Sequence, residues 1–225
     1  MTDAPEPPST PQRELAGLTA RAEKRLLVWI AERVPAALNP DHFTALGLLG
    51  MVGAGAGYAL AARDPRWLHA VNLCLVLNWL GDSLDGTLAR VRNRLRPRYG
   101  FYVDHLVDAI GALFLLLGLA ASGLCDPRIA LALLIAYYFL NLNIYLAASA
   151  LGVYKISYGA IGGTELRILL VIVNLLALCC PRLELAGRSL RLFDLLLGAG
   201  VAAVAFVALR SAAQVTGRLY RDERL

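Results

Sequence analysis

Charge is scarce in this chain: Asp, Glu, Lys and Arg supply 17% of its 225 residues, against about a quarter in soluble domains. Histidine and cysteine are scarcer, at three and four. Cys74, Cys125, Cys179 and Cys180 lie in or beside apolar stretches without metal-ligand spacing. That argues against thiolate metal centres and a disulfide framework, and leaves them as small hydrophobes. No basic start followed by an apolar core opens the sequence, so no secretory signal peptide is expected. No internal repeat is visible, and no polar stretch is long enough for a large soluble domain.

What remains is apolar. Hydrophobic residues make up 58% of the chain, with a mean hydropathy of +0.57. Six apolar stretches, at 43–62, 67–89, 100–123, 128–151, 164–180 and 190–213, each approach the length of about 20 residues that crosses a bilayer. The expected fold is an all-α integral membrane protein, a six-transmembrane-helix bundle with an N-terminal amphipathic juxtamembrane helix. Residues 1–11, rich in proline, read as a disordered tail. Residues 12–37 read as an interfacial helix, with Leu15, Leu18, Ala22, Leu26 and Trp29 at helical spacing among basic residues. The bundle then occupies 38–215, and 216–225 form a cytoplasmic tail. Gly53 and Gly57 make a GxxxG pattern suited to close helix packing.

Lys and Arg orient the bundle. With a cytoplasmic N-terminus, sixteen of the 22 basic residues fall on the cytoplasmic side, including Arg90, Arg92, Arg94, Arg96 and Arg98 in one short connection. This positive-inside bias predicts that both termini face the cytoplasm from a multi-pass position in the cell inner or plasma membrane.

Against this apolar background stand four aspartates, Asp82, Asp85, Asp104 and Asp108. A charged side chain at membrane depth costs about 2.5–3.5 kcal/mol on insertion scales, so each asks for a functional reason. Asn78, Asp82, Asp85 and Ala89 share one helical stripe with Gly86 beside it, and Gly100, Asp104 and Asp108 form a second. A connection of about ten residues predicts antiparallel neighbouring helices facing their stripes to each other. Carboxylates without cysteine, and with His105 off the stripe, point to a polynuclear site for hard cations such as Mg²⁺ or Mn²⁺.

The spacing D-x2-D-G-x2-A-R over Asp82–Arg90, nine residues, then G-x3-D-x3-D over Gly100–Asp108 resembles the signature of the CDP-alcohol phosphatidyltransferase family, with every fixed position present. Asn39, Pro40 and Thr44 resemble the N-P-x-x-x-T entry to the first membrane helix of many members. The resemblance implies a homodimeric membrane enzyme that uses two divalent ions. An alcohol acceptor attacks a CDP-alcohol, commonly CDP-diacylglycerol, and CMP leaves. It further implies Asp82, Asp85, Asp104 and Asp108 as metal ligands, with Asp108 also the catalytic general base. Asn39, Pro40, Asp41, His42, Gly86, Arg90, Arg96 and Gly100 would bind substrate. Where some members carry Ser or Thr, this chain has Arg96-Pro97-Arg98, and either arginine is a candidate phosphate contact. As plain chemistry, Asn39 and Pro40 are equally a helix cap and first turn.

The expected partners are a CDP-alcohol donor, a small polar alcohol or alcohol-phosphate acceptor, and membrane lipids, with no nucleic acid. Candidate acceptor contacts are Lys155, Arg167, the turn from Gly162 to Glu165, and Asn141, Asn143, Tyr145 and Asn174. Arg167 could instead pair with Glu165 or reach the interface, and the asparagines could serve only to join helices. The rival reading is an ion-coupled transporter using intramembrane carboxylates. Such proteins tend to show repeats and mid-membrane helix breaks; this sequence shows no repeat, and its aspartates cluster towards one helix end beside an arginine-rich loop.

Overall fold

In the computed structural model, residues 20–151, 163–180, 182–185 and 188–223 are described. The expected tail at 1–11, residues 12–19 of the expected interfacial helix, Lys155 and Gly162 lie outside them. The described residues form seven helices: α1 (Ala20–Ala31), α2 (Pro40–Ala61), α3 (Trp67–Val91), α4 (Pro97–Ala121), α5 (Pro127–Leu151), α6 (Gly163–Cys179) and α7 (Leu192–Asp222). Helices α2, α4, α5 and α7 are long and apolar enough to cross a membrane. Helix α6 has 17 residues, and α3 is diluted by Asn72, Asn78, Asp82 and Asp85. Leu49, Leu73, Ile135, Phe206 and Leu209 are each more than 60% exposed. An apolar exterior of that kind suits lipid rather than water.

Punctuation in the sequence sets the helix starts. Pro40, Pro97 and Pro127 open α2, α4 and α5, at the position where a missing N–H is harmless. The backbone of Asn39 is extended, and its N–H donates to Nδ1 of His42 at 3.0 Å.

The order is up-and-down, and α2 lies at its centre, packed against both α3 and α4. A Cβ added to Gly81 would strike the backbone of Gly47 and Phe43, and one added to Gly50 would lie 2.7 Å from Asn78 N. On the other flank, Cβ atoms on Gly55 and Gly118 would strike backbone atoms of Phe114 and Gly55. Gly53 and Gly57 pack on Cys74 and Val71, so the GxxxG pattern serves close packing against α3. The expectation that α3 and α4 face each other directly is therefore modified. Both dock on α2, and their stripes meet at its N-terminal end.

Away from that end, Tyr58, Leu68, Val71, Leu75, Leu119 and Phe193 form the main core. Tyr58 donates to Asn174 at 2.9 Å, and Asn174 donates to Asn72 at 2.7 Å. Asn143 donates to Ser211 at 2.7 Å, joining α5 to α7. Two of the candidate acceptor asparagines are thus engaged in joining helices. Helix α1 is docked on the bundle: Leu27 and Ala31 pack with Leu84 and Leu88, while Leu26 and Trp29 remain exposed. Trp79 donates to Glu23 at 2.8 Å, which ties α1 to α3.

Two boundaries differ from expectation. An antiparallel hairpin, β1 (Arg182–Leu185) and β2 (Arg188–Arg191), precedes α7, so Leu190 belongs to a strand rather than a span. Its alternation of Arg, Leu, Glu and Leu has the period of a strand. At the other end α7 continues as helix to Asp222, through most of the segment expected as tail. The apolar run stops near Ala213, but nothing breaks the helix there.

Backbone contact between α2 and its neighbours yields a test. Gly118→Ala should destabilise the bundle by about 1–3 kcal/mol through overpacking, read as a lower melting temperature in detergent. Gly198→Ala, where an added Cβ meets nothing within 4 Å, should melt like the parent or slightly higher. Equal melting of the Gly118 variant would remove the packing claim.

Candidate active site

Three helix ends meet at one pole of the bundle: the start of α2, the end of α3 and the start of α4. Between them lies a cavity of about 200 Å³. Pro40, Asp41 and Thr44 form one wall; Asp85, Gly86 and Ala89 a second; Arg96, Gly100 and Asp104 contribute to the third. Residues from both halves of the acidic pattern therefore line a single space. A Cβ on Gly100 would meet nothing within 4 Å, and one on Gly86 only the Arg90 guanidinium, at 3.7 Å or more. Protein packing demands neither glycine. What their bareness provides is room for a ligand beside the backbone.

Asp85 is buried. Its Oδ2 accepts from the Thr44 hydroxyl at 2.8 Å, and its Oδ1 lies against the Gly86 N–H. Asp82, Asp104 and Asp108 are more exposed. Asp82 and Asp104 lie close enough for their charges to bear on both Asp85 and Asp108. Arg167 of α6 enters this group, donating to Asp82 Oδ2 at 2.8 Å and to Asn78 Oδ1 at 2.6 Å.

Several expected substrate contacts hold the protein itself. Asn39 and His42 bond each other at the α2 cap rather than lining the cavity. Arg90 donates to Thr87 at 3.1 Å, also outside the lining. Arg96 pairs with Asp41 at the cavity and stacks 4.1 Å from the Tyr99 ring centroid. Arg92 donates to the carbonyls of Val34, at 2.8 Å, Pro35 and Leu38, fixing the connection into α2.

Two residues take contacts that the sequence did not specify. Thr44, the last position of the N-P-x-x-x-T pattern, is a direct partner of Asp85. Arg167, considered for an acceptor phosphate, is a partner of Asp82. The signal for Thr44 was its helical spacing from Pro40, which aims it at the same pole as Asp85.

Among the described residues, no three His, Cys, Asp or Glu side chains stand close enough together to grip a metal ion as they are arranged. The donor chemistry nevertheless fits hard divalent cations: carboxylates only, drawn from two helices, each within reach of its neighbours' charge. Thr44 and Arg167 now hold oxygens that such an ion would compete for.

Residues 37–214 match the CDP-alcohol phosphatidyltransferase family profile. The chain belongs to that family. It is accordingly an integral membrane enzyme, a transferase of substituted phosphate groups. Among solved structures, it is similar to a Mycobacterium tuberculosis phosphatidylinositol phosphate synthase crystallised with CDP-DAG bound. The TM-score is 0.60 at 20% identity, covering 87% of this chain and 94% of that one. No curated protein matches the chain in sequence.

The contact between Thr44 and Asp85 predicts that Thr44→Val lowers the melting temperature of the metal-free protein in detergent, since a hydrogen bond to a charged group contributes about 1.5–3 kcal/mol. Thr44→Ser should keep most of the parent's stability. Melting in EDTA checks both; a valine variant that melts like the parent would contradict the contact's importance.

Proposed function

We propose that the protein transfers a phosphatidyl group from CDP-diacylglycerol to the hydroxyl of a small polar alcohol or alcohol phosphate, with release of CMP. The carrying observation is that Asp85 and Gly86 of α3, and Gly100 and Asp104 of α4, wall one cavity completed by the first turn of α2. The CDP-DAG bound to the similar mycobacterial enzyme supports the donor.

Asp82, Asp85, Asp104 and Asp108 are the proposed holders of two divalent ions, Mg²⁺ or Mn²⁺. Bound there, the ions supply charge neutralisation for the diphosphate and for the departing CMP. Gly86 and Gly100 give the diphosphate room against the backbone. The first turns of α2 and α4 turn the positive ends of their dipoles towards it. Arg96 and Arg90 provide guanidinium groups on the same rim, able to exchange Asp41 and Thr87 for phosphate oxygens. Asp41 then lies beside the nucleotide at the cavity wall. Asp108 takes the proton of the acceptor hydroxyl as that oxygen attacks the β-phosphorus. The bond from this phosphorus to the bridging oxygen breaks, and CMP leaves with the electron pair.

The proposed topology has six spans, α2–α7. Support for counting α3 comes from its packing on α2 along most of its length, and for α6 from its antiparallel packing on α3. Sixteen of 22 basic residues then face the cytoplasm, with both termini and the cavity, and the working unit is a homodimer.

Two experiments test this reading. Purified protein given CDP-diacylglycerol and a panel of alcohols (glycerol 3-phosphate, inositol phosphate, inositol and serine) should release CMP with at least one acceptor. EDTA should abolish the release and Mg²⁺ or Mn²⁺ restore it; Asp104→Asn should lower it by at least a hundredfold while remaining folded. CMP release surviving EDTA, or intact in Asp104→Asn, would remove the mechanism. With the four native cysteines replaced by alanine, a cysteine replacing Asn93 should react with a membrane-impermeant thiol reagent only once the cells are permeabilised, and labelling of unpermeabilised cells would invert the topology.

A further inference from the structure

Arg167 reaches the acidic group from a helix outside the signature. Its Nη2 donates to Asp82 Oδ2 at 2.8 Å and its Nε to Asn78 Oδ1 at 2.6 Å. The Asn78 amide is fixed from the other side, since its Nδ2 donates to Gly47 O at 2.9 Å, so its oxygen must face the guanidinium. The Arg167 side chain is only 17% exposed, and its charge also bears on Asp108. Three residues earlier, Thr164 donates to Glu23 of α1 at 3.0 Å, which anchors the start of α6. The guanidinium thus neutralises part of the acidic cluster and holds a carboxylate oxygen that a metal ion would use.

We propose that Arg167 is the resident counter-ion of Asp82 and yields this carboxylate when a divalent cation binds. Metal loading and the position of the α6 guanidinium are then two states of one switch. The inference rests on Asp82 being a metal ligand. A doubly charged ion on this carboxylate would sit a few ångströms from the guanidinium, where two positive charges repel. The contact is also a competing one. A hydrogen-bond acceptor behind a ligand raises its basicity, whereas this donor occupies the lone pairs that the ion needs. Loss of Arg167 should therefore tighten metal binding and leave the metal-free protein less stable.

The test uses purified full-length protein in detergent, with Mn²⁺ titrated and free Mn²⁺ read by electron paramagnetic resonance. Melting is followed in EDTA and in saturating Mn²⁺. Arg167→Met should bind Mn²⁺ about tenfold more tightly than the parent, melt lower in EDTA and recover in Mn²⁺. Arg167→Lys, which keeps charge without the two-pronged contact, should fall between them and carries the comparison if the methionine variant does not fold. A merely structural arginine would give weaker binding on removal; equal or weaker affinity overturns the proposal. Asp85→Asn separates the two levels of inference. If it binds Mn²⁺ as tightly as the parent, the metal-site assignment itself fails. If it loses Mn²⁺ while Arg167→Met is unchanged, only the exchange fails.

Discussion

Backbone-to-backbone approach of α2 to α3 and to α4 is the constraint on which the site depends. In lipid, apolar side chains gain little by leaving their surroundings for one another, so helices associate through packing and polar contacts. Gly47, Gly50, Gly55, Gly81 and Gly118 remove the side chains that would hold these three helices apart. With α2 wedged between them, α3 and α4 bring their acidic stripes to its N-terminal end. The cavity opens there because Gly86, Ala89 and Gly100 leave its walls bare.

That arrangement creates an electrostatic problem. Asp82 and Asp104 each repel both Asp85 and Asp108, and the chain answers with Thr44 on Asp85, Arg167 on Asp82, and the starts of two helices aimed at the same space. On the proposed reading, divalent cations bound by these carboxylates would offset the rest of the repulsion and hold a diphosphate. The family's phosphoryl-transfer chemistry would, on the same reading, use that cation site, with Asp108 as the proposed base for the acceptor hydroxyl.

The sequence made the acidic pattern legible because helical spacing alone aligns Asp82 with Asp85 and Asp104 with Asp108. The six apolar stretches correspond to α2–α7 within a few residues at most ends, since proline and polar breaks mark them. Which helices would touch was not legible. Gly53 and Gly57 announced close packing without naming α3 as the partner, and the opposing pair Gly55 and Gly118 is separated by too much chain to recognise. Arg167 admitted three roles on sequence, and only tertiary structure puts Asp82 and Asn78 around it. The hairpin at Arg182–Arg191 was hidden by its brevity, and the C-terminal part of α7 by a change in polarity without a change in helix propensity. The His42 ring, at a variable position of the N-P-x-x-x-T pattern, accepts from the Asn39 N–H and so caps its own helix, a contact the sequence does not announce.

The most direct test of the central claim is anomalous diffraction from crystals of the protein soaked in Mn²⁺. Two anomalous peaks enclosed by Asp82, Asp85, Asp104 and Asp108, beside the cavity at the start of α2, are the predicted result. Manganese bound elsewhere with this cluster empty at saturating concentration, or the α3 and α4 carboxylates turned into separate spaces, would contradict the account.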